Sequence, residues 1–224
     1  MKHQDIWDDF CEQNNVAKHA VPLFEASPSL EVATHQVGKT NKRHVLSRSA
    51  EMELLIISQT ELLILDKQNT NSVYDGLIYL MFYIEEGDVK PLYIGKTESQ
   101  GRKNNISANI KNIKTNKSNF ARWGDNYQYH IGDLSAVVIP GHPLKESKLK
   151  YLDWADTLFH EYPSYQPKLN KPVYFWCQAW KRNNIGIWRD FGETRLTFLE
   201  YLLIGVASST FPELLLNREG QSRC

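Results

Sequence analysis

Apolar and aromatic residues dominate two adjacent runs near the middle of the chain. The first is YDGLIYLMFYIEE (74–86), the second is VKPLYIG (89–95), and Gly87-Asp88 lies between them. Aromatic and β-branched residues favour strands, and a glycine-containing dipeptide between two such runs favours a tight turn. The pattern therefore predicts a β-hairpin.

Apolar residues recur at spacings of three and four in four further segments, which predicts helices there. The segments are residues 3–16, 96–116, 144–160 and 195–209. In the second segment the repeating residues are Ile106, Ile110 and Ile113, with the lysines facing outward. We expect that helix to begin near Gln100.

The remaining segments are less regular. Residues 127–139 and 173–180 are typical of strands, and residues 182–188 of a turn with room for another short strand. After the break at Pro22 the chain is mixed in character to Arg48, so irregular structure is expected there. Residues 51–66 contain two apolar runs, which fit either a hairpin or a helix followed by a strand; periodicity does not separate the two.

These elements predict an α/β fold with a small, mainly antiparallel central sheet flanked by helices. We expect residues 74–224 to form this domain, with an insertion at about 116–172, and residues 1–73 to form an N-terminal arm of unknown role. With 224 residues, 42% of them hydrophobic and 23% charged, the chain has the composition of a globular protein with a substantial core.

Charge is balanced over the whole chain but not locally. The 26 basic and 26 acidic residues give a formal net charge of zero, which does not favour a dedicated nucleic-acid binder. Between residues 90 and 122, however, one acid, Glu98, stands against eight basic residues. These are Lys90, Lys96, Arg102, Lys103, Lys111, Lys114, Lys117 and Arg122. Such a cluster fits either a solvated helix face or the footprint of a phosphate backbone.

The cysteines and the apolar stretches bear on the compartment. Cys11, Cys177 and Cys224 form no C-x-x-C pair, so neither a disulfide framework nor a zinc knuckle is indicated. The first residues lack the apolar core of a signal peptide. The longest apolar stretch, LTFLEYLLIGVA, is too short to cross a membrane and contains Glu200. We therefore expect a cytoplasmic protein without a membrane partner.

Tyr79 and Tyr93 lie on the two strands of the expected hairpin. Taken alone, two such tyrosines are more often core or sheet-surface residues than catalytic ones. Gly95 ends the second strand, and a turn there could direct Lys96 and Arg102 toward one point, close to a helix N-terminus that favours phosphate. Glu200 is the second unusual residue, because an unpaired carboxylate is costly to bury on an apolar helix. It could equally face solvent.

In this arrangement the residues resemble the GIY-YIG nuclease family. Leu77-Ile78-Tyr79 lies fourteen residues before Tyr93-Ile94-Gly95 and looks like the first of the two family motifs, with Leu77 in place of its first glycine and Gly76 just before it. Glu200, Phe211-Pro212 and Asn217 look like the metal-binding helix and the closing segment of the family. The resemblance covers residues 76–217, interrupted by the insertion.

The resemblance implies a divalent-metal-dependent endonuclease. Tyr79 would hydrogen-bond or deprotonate the attacking water, and Tyr93 would position the water or the phosphate. Arg102 would contact the scissile phosphate and stabilise its developing charge, assisted by Lys96.

The C-terminal half of the implied site has separate duties. Glu200 would bind one Mg²⁺ or Mn²⁺, and Asn217 would orient the phosphate or hold the site together by side-chain hydrogen bonds. The residues expected to bind the nucleic-acid backbone are Lys103, Lys111, Lys114, Lys117 and Arg122.

One departure from the family concerns proton transfer. Many members place a histidine or tyrosine one helical turn after the arginine, where this chain has Ile106. The leaving oxygen could instead receive its proton from water at the metal or from His130, which could equally be a strand-surface residue. The insertion also carries Trp123 and Trp154, and could form a recognition lobe or an oligomer surface.

The expected substrate is DNA rather than RNA, and the expected role is restriction or anti-phage defence. Each chain would carry one active site, so cutting both strands would require a dimer or two binding events. The expected protein partners are a second copy of the chain, as a homodimer, or a larger defence complex. The alternative is a weakly active or inactive subunit of GIY-YIG fold that binds nucleic acid or acts in assembly.

Overall fold

The structure, a computed structural model, describes residues 2–40, 42–69, 73–101, 105–143 and 149–218. Within them lie five α-helices: α1 (His3–Gln13), α2 (Ala50–Gln68), α3 (His130–Val138), α4 (Leu149–Leu158) and α5 (Leu196–Thr210). The strands are β1 (Val21–Pro22), β2 (Thr34–Val37), β3 (Arg43–Leu46), β4 (Tyr74–Glu85), β5 (Asp88–Glu98) and β6 (Tyr174–Lys181). Short 3₁₀ segments cover Lys117–Arg122 and Arg189–Phe191.

An antiparallel four-stranded sheet in the order β1-β6-β4-β5 forms the centre of the molecule. The hairpin of β4 and β5 pairs Gly76 with Glu98 at its open end and Glu85 with Asp88 at its turn. β5 is an edge strand of this sheet, and β2 and β3 form a separate two-stranded ribbon. The expected α/β class, with a small antiparallel sheet flanked by helices, is confirmed.

Both faces of the central sheet are covered. Successive side chains of a strand point to opposite faces. Tyr79 and Met81 of β4 pack into one hydrophobic cluster with residues of α2, α3 and α4, and we call this the tyrosine face. Ile78 and Leu80 pack into a second cluster with residues of α1 and α5, and we call this the α5 face. Burial on both faces explains why β4 is a continuous apolar run instead of an alternating one.

The N-terminal segment contributes to both clusters. Trp7 of α1 is fully buried on the α5 face, and its indole nitrogen donates a hydrogen bond of 2.8 Å to the carbonyl of Val89. β1 pairs with β6 at the other edge of the sheet.

Ser49 caps α2 by accepting a hydrogen bond from the amide of Met52 at 2.9 Å. The division of the chain at residue 73 stays a prediction.

Most helices and strands of the sequence analysis are confirmed. α1, the β4–β5 hairpin, β6 and α5 lie where they were expected, and α4 confirms the described part of the helix predicted over 144–160, whose first residues lie outside the described part. The open choice for residues 51–66 is resolved by α2, a single helix. The short strand within 182–188 is reduced to an isolated bridge between Ile185 and Glu193.

The helix predicted over residues 96–116 is wrong for the described residues. β5 continues to Glu98, Gln100 bridges Ile106, and residues 108–115 form consecutive turns. Ile110 and Ile113 are nevertheless buried, so the apolar spacing identified the inward side chains but not the backbone. Asparagine has a low helix propensity and tolerates left-handed backbone; five asparagines occur between 104 and 116, and Asn112 has a φ of 57°, which interrupts a right-handed helix.

Two further segments also differ from expectation. Residues 127–139 were expected to form a strand, yet His130–Val138 is the helix α3, in which every residue is buried. A helix that is buried on all sides has few polar residues, so its sequence lacks the repeat of polar positions that distinguishes a helix from a strand. The stretch from Pro22 to Arg48 was expected to be irregular, but it contains β2 and β3. β2 is mostly half-buried and β3 ends in two buried residues, Val45 and Leu46, so neither strand shows an alternation of apolar and polar residues.

Among the helices in the described part of the chain, none combines the length and the apolar character that crossing a bilayer requires. The cytoplasmic location stays a prediction.

Candidate active site

Tyr79 lies across the backbone of the neighbouring strand. It is paired with Gly95 in the β4–β5 register. A Cβ atom built on Gly95 would lie 2.6 Å from Cε2 of Tyr79 and 2.7 Å from its hydroxyl oxygen. The missing side chain of Gly95 is therefore what lets the Tyr79 ring cross β5, and the hydroxyl ends near the edge of the sheet.

Tyr93 lies beside Tyr79 on the same face. The two ring centroids are 6.4 Å apart, and Tyr93 is half-buried whereas Tyr79 is only 3% exposed. Lys150 of α4 donates a hydrogen bond of 3.3 Å to the hydroxyl oxygen of Tyr93, with its ammonium 4.4 Å from the ring centroid. Tyr93 therefore combines a cationic partner with partial access to solvent.

Asn217 binds the backbone between these motif residues. Its Oδ1 accepts the amide of Ile94 at 2.9 Å, and its Nδ2 donates to the carbonyl of the same residue at 2.8 Å. The amide of Leu216 also donates to the carbonyl of Leu92 at 2.7 Å. The C-terminal segment thus provides hydrogen-bond partners for backbone groups at the outer edge of β5, and Asn217 binds the strand that carries Tyr93 and Gly95.

Glu200 lies on α5, which packs against β4 and β5. It is half-buried, and its charge acts on the hydroxyl of Tyr79. Arg195, which precedes α5, is bound to Asp75, with nitrogen–oxygen distances of 2.6 Å. Lys96 follows Gly95 on β5, and strand alternation places it on the α5 face, where it pairs with Glu98 at 2.6 Å.

An aromatic wall surrounds the two tyrosines on the tyrosine face. It consists of Trp123, His130 and Trp154, each buried, with the histidine ring 4.7 Å and 5.2 Å from the two indoles. The His130 centroid lies 5.1 Å from that of Tyr93 and 6.5 Å from that of Tyr79. Nε2 of His130 and both indole nitrogens have no hydrogen-bond partner among the described residues. Three such buried atoms in one cluster are unusual.

His130 is tied to two further polar side chains through its other ring nitrogen. Nδ1 lies 2.8 Å from the hydroxyl of Tyr151, and that hydroxyl also hydrogen-bonds the carboxylate of Asp133. His130 and Asp133 are three residues apart on α3, so they share a face of the helix. All three side chains are buried.

The environment changes the acidity of these groups in opposite directions. Burial, with smaller contributions from Tyr93, Glu200 and Tyr151, raises the pKa of Tyr79 well above its usual range, against the opposing charge of Arg122. Burial, Lys150 and Arg122 lower the pKa of His130 well below 6.5. Tyr79 is therefore a protonated phenol, and His130 is a neutral imidazole at neutral pH.

The basic residues of the expected binding surface are partly neutralised. Arg102 and Lys103 lie outside the described residues. Lys114 pairs with Glu61, and Lys117 pairs with Glu53. These two acids belong to α2, so the local count along the sequence missed them.

Two basic residues of this set remain. Lys111 is exposed, and Arg122 is half-buried with its guanidinium carbon 5.2 Å from the ring centroid of Tyr129. Since Arg122 also affects the pKa values of both Tyr79 and His130, it is the described arginine whose charge acts on the site.

No group of three or more histidine, cysteine, aspartate or glutamate side chains within the described ranges could hold a metal ion. Glu200 is the acidic side chain whose charge reaches Tyr79. A lone carboxylate suits Mg²⁺, which retains several waters and often takes its other ligands from a substrate phosphate. Glu200 is thus compatible with a metal shared between protein and substrate.

The structure brings Tyr79, Tyr93 and Asn217 to the β5 edge of the sheet. Glu200 and Lys96 are carried by the α5 face of the same sheet, from which the charge of Glu200 acts on Tyr79. The sequence analysis did not assign roles to Lys150, Tyr151 or Asp133. One signal was present, because Tyr151 and Trp154 are three residues apart in a segment expected to be helical and so share a face.

Neither models of known families, nor curated proteins, nor solved structures gave a match to this chain.

Proposed function

We propose that this chain is a divalent-metal-dependent endonuclease of the GIY-YIG type that hydrolyses phosphodiester bonds in DNA. One observation carries the proposal. Residues 79–95 and Asn217, which are distant in the sequence, meet at the β5 edge, where Tyr79 crosses Gly95 and Asn217 binds Ile94. These are the positions on which the resemblance to the family rests.

The chemistry of the assembled groups suits phosphodiester hydrolysis. The reaction requires a positioned water, cations opposite the charge that develops on phosphorus, and a metal ligand. Tyr93 is half-buried and presents a hydroxyl for the water or the phosphate; Lys150 bonds that hydroxyl, and the positive charge of Arg122 acts on Tyr79. Asn217 acts as a positioning residue, because both of its described hydrogen bonds go to the backbone of Ile94.

Glu200 is the proposed ligand of Mg²⁺ or Mn²⁺. A bound divalent cation would supply Lewis-acid stabilisation of the phosphate oxygens. The protein's own contribution is to hold Glu200, whose charge acts on Tyr79, on a helix that is anchored at its N-terminus. There Asp75 accepts the amide of Leu196 at 3.2 Å.

Incubation of the full chain with single-stranded DNA, duplex DNA and RNA tests the proposal, each with Mg²⁺, with Mn²⁺ and with a chelator. We expect metal-dependent strand breaks in DNA that the chelator abolishes. Cleavage of RNA but not of DNA would show that the substrate is RNA instead of DNA. Cleavage that persists with the chelator would refute the metal requirement.

A binding or assembly protein of the same fold is the second candidate. The partly buried Ile106 favours it, since this side chain cannot transfer a proton from the position where many family members carry a histidine or tyrosine. Binding of DNA without strand breaks under every metal condition would support this candidate over the nuclease.

A further inference from the structure

We propose that Lys150 of α4, and not Lys96, is the cation that binds the phosphate at Tyr93 and opposes the negative charge that develops on it. The inference rests on the proposed nuclease function and adds a residue to that site. Lys150 belongs to the insertion expected at about 116–172, so the resemblance to the family assigns it no role.

Lys150 is in direct contact with the more accessible of the two tyrosines. Its ammonium donates a hydrogen bond of 3.3 Å to the hydroxyl oxygen of Tyr93 and lies 4.4 Å from the centroid of that ring. The ring centroid of Trp154 is 5.5 Å from the same ammonium. The faces of aromatic rings attract a cation, so these rings help to hold the ammonium at the hydroxyl. Lys150 and Tyr93 are both half-buried, which leaves each of them partly open to a substrate.

Lys96 lies on the other side of the sheet. It is three residues after Tyr93 on β5, and successive side chains of a strand point to opposite faces, so the two side chains are on different faces. The ammonium of Lys96 pairs with Glu98 at 2.6 Å. A phosphate at the Tyr93 hydroxyl would therefore contact Lys150, whereas the strand itself would separate it from Lys96.

The C-terminal segment connects β5 to the helix that carries Lys150. Asn217 binds both backbone groups of Ile94 in β5. The next residue, Arg218, donates hydrogen bonds of 2.9 Å and 2.6 Å to the carboxylate of Asp153 in α4. Asp153 and Lys150 are three residues apart in this helix, so they lie on the same side of it. These contacts position α4, and with it Lys150, relative to β5.

An ammonium group has the chemistry that this role requires. It carries three N–H donors, so one lysine can bind the oxygen of Tyr93 and a phosphate oxygen together. A positive charge held against a phosphate stabilises the negative charge that grows on its oxygens as water attacks. Lys150 is therefore proposed as a catalytic residue, and Arg218 and Asp153 as positioning residues.

The first experiment measures binding of duplex DNA by the full chain, as fluorescence anisotropy over a range of salt concentrations with a chelator present. Lys150→Met keeps an unbranched side chain and removes the charge. It should reduce the slope of log K against log salt by about one, as the loss of one phosphate contact does. Lys150→Arg should keep the wild-type slope. An unchanged slope in Lys150→Met would overturn the inference.

The matched control is Lys171→Met, which removes a different lysine that lies against a tyrosine. Its ammonium is 5.6 Å from the ring centroid of Tyr83 and pairs with Glu85 at 2.6 Å. Because that charge is already neutralised within the protein, Lys171→Met should keep the wild-type slope.

The second experiment measures single-turnover cleavage of duplex DNA at saturating Mg²⁺. Lys150→Met should lower the rate by about 100-fold, the usual effect of removing one group that stabilises the transition state. Lys150→Arg, which keeps the charge, should be faster than Lys150→Met. Asp153→Asn should lower the rate less than Lys150→Met, because it weakens the contact that positions α4 and leaves the ammonium in place. Lys171→Met should match the wild type.

The failure of this inference is distinct from the failure of the proposed function. If Lys150→Met cleaves at the wild-type rate, the inference fails and the nuclease stands. If Lys96→Met is slow and Lys150→Met is not, Lys96 has the role and the inference fails as well. If the wild type cleaves no nucleic acid, the proposed function and the inference both fail.

Discussion

Gly95 determines the geometry of the candidate site at the residue scale. Because it has no side chain, Gly95 lets the Tyr79 ring cross β5. The Tyr79 ring then lies beneath the β5 edge, next to the ring of Tyr93. The glycine following Tyr93-Ile94 is therefore required by a close approach between two strands and not by an unusual backbone conformation.

Gly95→Ala should lower the free energy of unfolding by about 1–3 kcal/mol, because the added methyl group overlaps the Tyr79 ring. Denaturation by urea measures the change. The matched control is Gly205→Ala in α5, where no atom lies within 4 Å of the added carbon. Replacing that helical glycine should stabilise the protein by roughly 0.5–1 kcal/mol. Equal effects at both positions would contradict the packing described for Tyr79.

The sequence predicted the proximity of some site residues better than that of others. Tyr79, Tyr93 and Gly95 lie in one hairpin, whose local pattern was sufficient to place them together. Glu200 and Asn217 lie more than 100 residues further along the chain. Only the family resemblance connected them to the hairpin, since strand and helix periods say nothing about which elements meet.

At the scale of elements, Asp75 joins the start of β4 to the start of α5. Its carboxylate accepts hydrogen bonds from Arg195 at 2.6 Å, from Arg182 at 3.2 Å and from the amide of Leu196 at 3.2 Å. Burial alone would raise the pKa of Asp75. The hydrogen bonds and the two guanidinium charges outweigh it and hold the pKa below the usual 3.8. The helix that carries Glu200 is thereby anchored to the sheet.

Asp75→Asn should lower the thermal midpoint at pH 7, by roughly 2–4 °C for each kcal/mol lost. A carboxyl whose folded pKa is depressed stabilises the fold above its unfolded pKa, and this stability is lost as the pH falls through the folded pKa. The difference between wild type and variant should therefore be full at pH 7 and shrink below pH 3.8. Asp88→Asn, at an exposed surface pair with Lys90, is the control and should change little. A pH-independent difference would contradict the account.

Two of the segments that were predicted incorrectly, 96–116 and 127–139, show the same limit of the apolar pattern. A period in apolar residues reports which side chains face inward, and it reports the backbone only when polar residues occupy the other positions. The turns after Gln100 bury Ile110 and Ile113 without a helix, and α3 is buried on every side. His130 and Tyr151 could not be joined before α3 and α4 were placed together.

Charge is organised at the scale of the whole molecule. The basic residues between 90 and 122 are close in sequence, but α2 brings Glu53 and Glu61 against two of them. The surface expected to bind phosphates is therefore smaller than the sequence indicates. Among its described members, Arg122 is the residue whose charge affects the pKa of Tyr79.

Arg122→Gln should weaken binding to DNA and reduce the slope of log K against log salt by about one, as the loss of one phosphate contact does. Lys117→Gln should leave the slope unchanged, because Glu53 already neutralises that lysine. Fluorescence anisotropy over a range of salt concentrations measures both. If both variants lowered the slope equally, Lys117 would contact DNA phosphate in spite of its pairing with Glu53, which would contradict the prediction.

The central claim is a nuclease site that includes Glu200, and the single-turnover cleavage rate of duplex DNA at saturating Mg²⁺ tests it most directly. Glu200→Gln should lower that rate by about 100-fold or more, because the proposed metal ion would lose its carboxylate ligand. Glu213→Gln, which changes an exposed carboxylate beyond the end of α5, should leave it unchanged. A Glu200→Gln rate equal to that of the Glu213→Gln control, or no cleavage by the wild type, would contradict the account.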